Sequence, residues 1–242
     1  FSIASQETGP YGLAFKPDGT IMYVSGAIND TVWQYTLSTA WDLSTASYAS
    51  KSFNASAQAN LTDVKFKPDG TKMYLVDVNT ATHQYALSTA WDVSTASYES
   101  KSLAESGTQF YGGLGFNSDG TKYFTIDGAT DSVKEYNLST AWDISTGSAS
   151  GTTFVTTSQS INPRNGTFST SGHKFYVIDN GSDDVFQYSC SGNATITWPS
   201  SIEWAGGAAP AAPANGETDI FTISTDDGGT TYQGFKTADN LS

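Results

Sequence analysis

Leu37-Ser38-Thr39-Ala40-Trp41-Asp42 returns as Leu87-Ser88-Thr89-Ala90-Trp91-Asp92 and again as Leu138-Ser139-Thr140-Ala141-Trp142-Asp143. A second motif keeps step with it. Phe15-Lys16-Pro17-Asp18-Gly19 is matched by Phe66-Lys67-Pro68-Asp69-Gly70, by Phe116-Asn117-Ser118-Asp119-Gly120 and, more loosely, by Phe168-Ser169-Thr170-Ser171-Gly172. The successive phenylalanines lie 51, 50 and 52 residues apart. A period near 50 residues, filled with short alternating strands, is the signature of propeller blades.

Within one period the strands can be read off in turn. Tyr11-Gly12-Leu13-Ala14-Phe15 alternates, Lys16-Pro17-Asp18-Gly19-Thr20 turns, and Ile21 to Ser25 returns with the same period of two, which together predict a hairpin. Thr31 to Leu37 is rich in β formers and predicts a third strand, and Tyr48 to Phe53 a fourth. Four antiparallel strands per repeat is the blade pattern. The fourth repeat stops after Tyr188 with no Trp motif, so it lacks an outer strand of its own. Phe1-Ser2-Ile3-Ala4-Ser5-Gln6 resembles the outer strands near Phe53 and Leu103. Residues 1–190 are therefore expected to form an all-β, four-bladed β-propeller whose last blade is closed by the N-terminal strand. The rival reading donates that strand to a neighbouring subunit, head to tail. Residues 191–242 change grammar. Two short apolar segments, the spacer Gly206 to Pro213 and the turn Asp226-Asp227-Gly228-Gly229 predict a small C-terminal β module ending in a hairpin, with Trp198, Trp204, Phe221 and Phe235 to bury.

Composition removes some functions. With 11 basic against 24 acidic residues, a net charge of -13 and a pI near 4.2, the chain is no tracker of phosphate backbones, and no nucleic-acid partner is expected. No run approaches the ~20 apolar residues that span a bilayer, so no membrane insertion is expected. The single Cys190 excludes an internal disulfide and reads as a buried strand-end residue.

Residues repeated with their neighbours read as framework. Trp41, Trp91 and Trp142 offer faces on which a sugar could stack, yet their recurrence marks them as rivets between strands, with Asp42, Asp92 and Asp143 capping the turn that follows. Tyr35, Tyr85, Tyr136 and Tyr188 belong to the core between blades by the same logic. Function is expected where the repeats disagree, in the loops entering the first strand and joining the second to the third, which share one face. Near the axis these offer Tyr11, Asp63, Tyr111 and Arg164; farther out they offer Asn29, Asp30, Asp131 and Asp183, and these eight are the expected ligand-binding residues. His83 and His173 lack any partner at metal-ligand spacing, and Asp179 to Asp184 reads as a solvated turn rather than a calcium loop. No catalytic residue, metal site or cofactor is expected.

Ile196-Thr197-Trp198-Pro199-Ser200-Ser201-Ile202-Glu203-Trp204, the Gly/Ala/Pro spacer, and Thr225-Asp226-Asp227-Gly228-Gly229-Thr230-Thr231-Tyr232-Gln233-Gly234-Phe235 resemble the C-terminal end common in phage tail-fibre and related virion proteins. The Leu-Ser-Thr-Ala-Trp-Asp and Phe-Lys-Pro-Asp-Gly-Thr-Lys-Met-Tyr repeats are similar to propeller-like repeats of phage and marine microbial surface proteins. The resemblance implies a virion or extracellular location and a non-enzymatic fibre or adhesion protein that recognises a host cell-surface glycan. It further implies homo-oligomers or other virion fibre proteins as partners. Two other readings stand beside it: a structural subunit of an extracellular or virion filament, and a polysaccharide-degrading enzyme. The enzyme would need two carboxylates roughly 5–10 Å apart, for which Asp63 with Asp30 or Asp131 are the candidates.

Overall fold

The computed structural model describes residues 1–55, 58, 60–78, 81–104, 110–169, 172, 174–190, 202–204, 218–225 and 231–241. The chain divides into two compact units, Phe1–Tyr188 and Ser189–Ser242, against an expected break at 190.

The first unit is four antiparallel sheets, one per repeat. Blade 1 is β1 (Pro10–Phe15), β2 (Ile21–Gly26), β3 (Thr31–Leu37) and β4 (Ala46–Asn54). Blade 2 is β5 (Leu61–Phe66), β6 (Lys72–Asp77), β7 (Ala81–Leu87) and β8 (Ala96–Ala104). Blade 3 is β9 (Phe110–Phe116), β10 (Lys122–Asp127), β11 (Ser132–Leu138) and β12 (Gly147–Val155). Blade 4 has three strands, β13 (Pro163–Phe168), β14 (Lys174–Asp179) and β15 (Val185–Ser189). The inner strands β1, β5, β9 and β13 neighbour one another in chain order.

Each strand shows one face to the preceding blade and the other to the following one, so the apolar cores lie between blades. Tyr23 and Val32 of blade 1 share a buried cluster with Leu61, Val64, Leu75, Tyr85 and Val93 of blade 2. Tyr74 of blade 2 joins Tyr123, Tyr136, Leu138 and Ile144 of blade 3. Between blades 3 and 4 the contact is aromatic, with Phe124 on Phe168 at 5.0 Å and Phe154 edge-on to Phe175 and Tyr188.

The Trp motif locks each blade and presents it to its neighbour. Gly19, Gly70 and Gly120 sit at φ near +73°, and a Cβ at any of them would lie within 2.5 Å of the indole of Trp41, Trp91 or Trp142. The tryptophans themselves are left-handed, at φ 66, 66 and 62°, a backbone state costly for a bulky side chain. It is held by the indole packing, by the Trp amide donating to the hairpin glycine carbonyl, and by the aspartate that follows. Asp42, Asp92 and Asp143 each accept from the amide two residues on and start a single 3-10 turn, as the repeat requires. The freed tryptophan carbonyl then becomes an acceptor for the preceding blade. The Tyr23 hydroxyl donates to Trp91 and the Tyr74 hydroxyl to Trp142, both at 2.7 Å. Beside these, the Val93 amide donates to Gln34 Oε1 at 3.1 Å and the Ile144 amide to Gln84 Oε1 at 2.8 Å. Lys51 and Lys101 reach Asp92 and Asp143 at 2.6 Å. Val93 and Ile144 are fully buried by this docking, each contributing about 1.5–3 kcal/mol.

The N-terminal segment departs from expectation. Phe1–Gln6 forms no strand, and β15 has β14 as its strand partner among the described residues, so no sheet is closed. Phe1 packs instead against Tyr35 of blade 1 at 5.4 Å, as Phe53 packs on Tyr85 and Phe154 on Tyr188. Ile3 accepts the amides of Gln6 and Glu7 just as Thr156 accepts those of Gln159 and Ser160. The segment thus fills, on blade 1, the place where the tail of a preceding outer strand would run. There Phe1 meets Tyr35, and Ile3 packs on the cluster of Met22, Val24, Tyr35 and Leu37.

In the second unit β16 (Ile202–Trp204) runs parallel to β18 (Tyr232–Leu241), which pairs antiparallel with β17 (Thr218–Ser224), in the order β16-β18-β17. Gly234 is small by necessity, since a Cβ there would lie 2.6 Å from the Trp204 ring. Trp204 is half-buried and Phe235 exposed. Trp198, the 206–213 spacer, the 226–229 turn and the side chain of Phe221 lie outside the described residues.

Replacing Tyr74 by Phe removes the hydroxyl that serves the Trp142 carbonyl and is expected to lower unfolding free energy by about 1–2 kcal/mol in urea titrations. The converse change at the matching position, Phe124→Tyr, should give no gain, because blade 4 carries no Trp turn to accept the new hydroxyl.

Candidate functional site

The loops entering the first strand and joining the second to the third of one blade meet at one end. The Ala27 amide donates to Gly9, that of Val78 to Asn60 and that of Asn180 to Asn162, while the Gly-containing hairpins close the opposite end.

Buried acids organise this loop end. Asp77, Asp127 and Asp179 close the second strands of blades 2, 3 and 4 and cap the loops that follow. Asp77 accepts the Ala81 amide and pairs with His83 Nε2 at 2.9 Å. Asp127 accepts the Ala129 amide and the Thr130 hydroxyl and pairs with Lys134. Asp179 gathers the amides of Gly181, Ser182 and Asn162 and the Ser160 hydroxyl. Blade 1 has Gly26 at this register, and the space goes to Glu7: a Cβ on Gly26 would lie 2.1 Å from the Glu7 carboxyl, which accepts the Gly9 amide. His83 thus fills the slot that Lys134 fills in blade 3, as an aspartate partner. These caps escaped the sequence reading; Asp179 is a buried cap, while residues 180–184 after it form the solvent-exposed turn that the sequence predicts. The one signal of the caps was an aspartate ending the second strand in three repeats.

Burial alone would push the Asp127 and Asp179 carboxyls up. It is outweighed by Lys134, the Ala129 amide and Thr130 in one case, and by Ser160 with the three amides in the other, so both sit below the usual carboxylate range. Asp131 goes the other way, raised by burial and then by the charges of Asp179 and Asp127.

The eight expected ligand residues divide into framework and surface. Asp63 is fully buried; it accepts its neighbour Val64's amide at 2.8 Å and, across to the next blade, the Gly113 amide at 3.0 Å, and it pairs with Lys65. Asp30, Asp131 and Asp183 share one loop position at φ 47, 47 and 60°, where a short polar side chain tolerates the left-handed backbone. Asp30 accepts the Asn60 amide at 2.6 Å, and the Asp131 carbonyl takes the Thr156 amide. Asn29 is exposed and donates to the Gln6 carbonyl. Tyr11 is 62% exposed, Asp183 is exposed and Arg164 half-buried. Tyr111 lies on β9 with its side chain outside the described residues, as are Asn79, Thr80 and His173. No group of three or more His, Cys, Asp or Glu is placed to hold a metal ion among the described residues.

A groove of about 840 Å³ runs along the inner strands. Tyr11, Leu13 and Phe15 of blade 1 form one wall, and Tyr176, Ile178 and Val185 of blade 4 the other, with Lys65, Gly115, Asn165 and Thr167 between them. Among the described residues, Tyr11 is the one expected ligand residue that lines it.

No family model and no curated protein matches this sequence. Solved structures do match. A protein of Bacteroides fragilis NCTC 9343 provisionally assigned as a 6-phosphogluconolactonase aligns with a TM-score of 0.54 at 14% identity, over 74% of this chain and 50% of its own. One of the same provisional assignment from Bacteroides uniformis ATCC 8492 aligns at 0.51 and 18%, over 75% and 53%. The Swd1 β-propeller domain of Myceliophteria thermophila gives 0.49 and 7%, over 75% and 54%. The likeness is one of fold, a propeller-like array of antiparallel sheets, and this chain spans about half the length of the structures it matches.

The lowered carboxyls give the fold a pH dependence. Asp127 and Asp179 ionise more readily folded than unfolded, so their contribution is complete above about pH 4 and is lost as pH falls through their depressed folded values. Asp179→Asn sets an amide NH2 against donors from Ser160 and Asn162. It should cost about 1.5–3 kcal/mol at neutral pH and flatten the acid side of a stability–pH curve measured by urea denaturation.

Proposed function

We propose that this chain is a non-catalytic recognition module, a virion fibre or other extracellular adhesion protein that binds a host cell-surface glycan on its loop end. One observation carries the reading. The buried carboxylates there are engaged in capping backbone amides and pairing with Lys or His, which makes a rigid platform, while the exposed side chains above it differ from blade to blade. A rigid scaffold with variable polar loops suits shallow, multi-contact binding. Repeated over copies on one particle, such contacts gain strength by avidity. Tyr11, Asn29, Arg164 and Asp183 are the contact residues in this reading, with Tyr11 as the stacking face. Asp63, Asp30 and Asp131 serve as the frame that orients them. The enzymatic alternative asks for two available carboxylates, and Asp63, central to that pair, is held by two amides and a lysine. Closure of a four-bladed ring by Phe1–Gln6 on β15 would keep Phe1 on Tyr35, as Phe53 of β4 sits on Tyr85 of the next blade, and would add backbone pairing with β15.

Glycan-array binding tests the assignment. Tyr11→Ala should weaken binding tenfold or more with an unchanged melting temperature, Arg164→Ala should weaken binding tenfold or more, and Asp63→Asn should lower the melting temperature. Binding indifferent to both alanine substitutions would remove the loop end as the site.

A further inference from the structure

The joint between blades 3 and 4 breaks a pattern that the joint between blades 1 and 2 keeps. In the earlier joint Asp30, left-handed at the turn before β3, accepts the Ala55 amide on its carbonyl and the Asn60 amide on Oδ1 at 2.6 Å. Asp131 stands at the same place before β11, and its carbonyl accepts the Thr156 amide and hydroxyl. The residue that matches Asn60 is Asn162, since each precedes an inner strand and accepts the amide that follows a capping aspartate. The Asn162 amide goes instead to Asp179 Oδ2 at 2.7 Å. Asp131 Oδ1 is left buried with no hydrogen-bond partner among the described residues.

The cause lies on the third strand. Two residues before the repeated tyrosine, blades 2 and 3 place His83 and Lys134, each paired with the capping aspartate of its own blade. Blade 4 has Phe186 there. Asp179, with no cation at that position, is satisfied by neutral donors, the amides of Asn162, Gly181 and Ser182 and the Ser160 hydroxyl. It thereby takes the amide that Asp131 needs. The charges that reach Asp131 are those of Asp179 at the end of β14 and of Asp127 at the end of β10, the latter paired with Lys134 of β11. Residues 155–162, bonded to Asp131 through Thr156, carry no charged side chain.

We infer that Asp131 is an acid-responsive latch: taking up a proton on its orphaned carboxylate removes the charge that opposes Asp179 across the joint, and blade 4 seats more firmly on blade 3. Burial first, then the charges of Asp179 and Asp127, raise its carboxyl above the ordinary range, so the folded chain holds a proton that the unfolded chain has lost. The gain from this group appears as pH falls through the raised value and is complete below about pH 4. It has the opposite sign to the contributions of Asp127 and Asp179, which are lost on further acidification. The joint is therefore tightest in mild acid, and the segments that carry Arg164 and Asp183 are the part of the loop end that responds. The inference does not rest on glycan binding.

Amide hydrogen exchange on the full chain, corrected for intrinsic rates, tests it at Thr156 and Asn162. Between pH 7 and pH 5 the opening of these two amides should slow by about three- to tenfold. In Asp131→Asn, which tolerates the same left-handed turn and removes the charge, opening should already be slow at pH 7 and change by less than about twofold over that range. Asp183→Asn makes the same replacement at the matching turn of blade 4 and should leave the native response in place, which separates charge from backbone preference. Histidine titration is common to all three proteins and cancels in the comparison. Native amides whose opening is unchanged or faster at pH 5 would overturn the inference. So would an Asp131→Asn protein that keeps the native response, or a response lost equally in Asp183→Asn.

Discussion

The hydrogen bond from a tyrosine hydroxyl to a tryptophan carbonyl of the next blade is the contact on which this architecture turns. It needs a carbonyl left unpaired by its own sheet, and the left-handed Trp91 and Trp142 supply one at the cost of backbone strain. That strain is sustained because the indole covers a glycine that could be no other residue and because the following aspartate starts a tight turn. The turn in turn aims an amide at a glutamine of the preceding blade and buries Val93 or Ile144. Sequence motif, local strain and packing between blades are thus one device, which explains why Leu-Ser-Thr-Ala-Trp-Asp is repeated with so little variation.

A second set of constraints operates at the loop end, where carboxylates rather than aromatics bind the array. Asp63 ties the inner strand of blade 2 to that of blade 3, and Asp77, Asp127 and Asp179 hold the loops. Each of these acids accepts at least one backbone amide, and Asp63, Asp77 and Asp127 add Lys65, His83 and Lys134 respectively.

Much of this was legible in the residues alone. The period, the Asp-Gly hairpins, the third strands and the capping role of Asp42, Asp92 and Asp143 depend on neighbours a few positions apart, where spacing and local chemistry suffice. Phe1 to Gln6, expected to close blade 4, forms no strand: the likeness of Phe1 to Phe53 and Phe154 foretold its seat on the Tyr35 ring but carries no information on backbone pairing with β15. Asp63 looked like a ligand residue because a polar side chain in a variable loop usually is one. Its partner, the Gly113 amide, is 50 residues away and carries no side-chain signal. Asp30, Asp131 and Asp183 carried a backbone requirement that resembles a binding pattern. The parallel pairing of β16 with β18 left no periodicity to read.

Amide hydrogen exchange at three matched positions bears most directly on the blade-to-blade contact. The amides of Val93 and Ile144, held by Gln34 and Gln84, should exchange only on global unfolding. The amide of Leu43, at the matching position but on a half-exposed residue, should exchange much faster than either. Fast exchange at Val93 and Ile144, or a Leu43 amide as strongly protected as theirs, would contradict it.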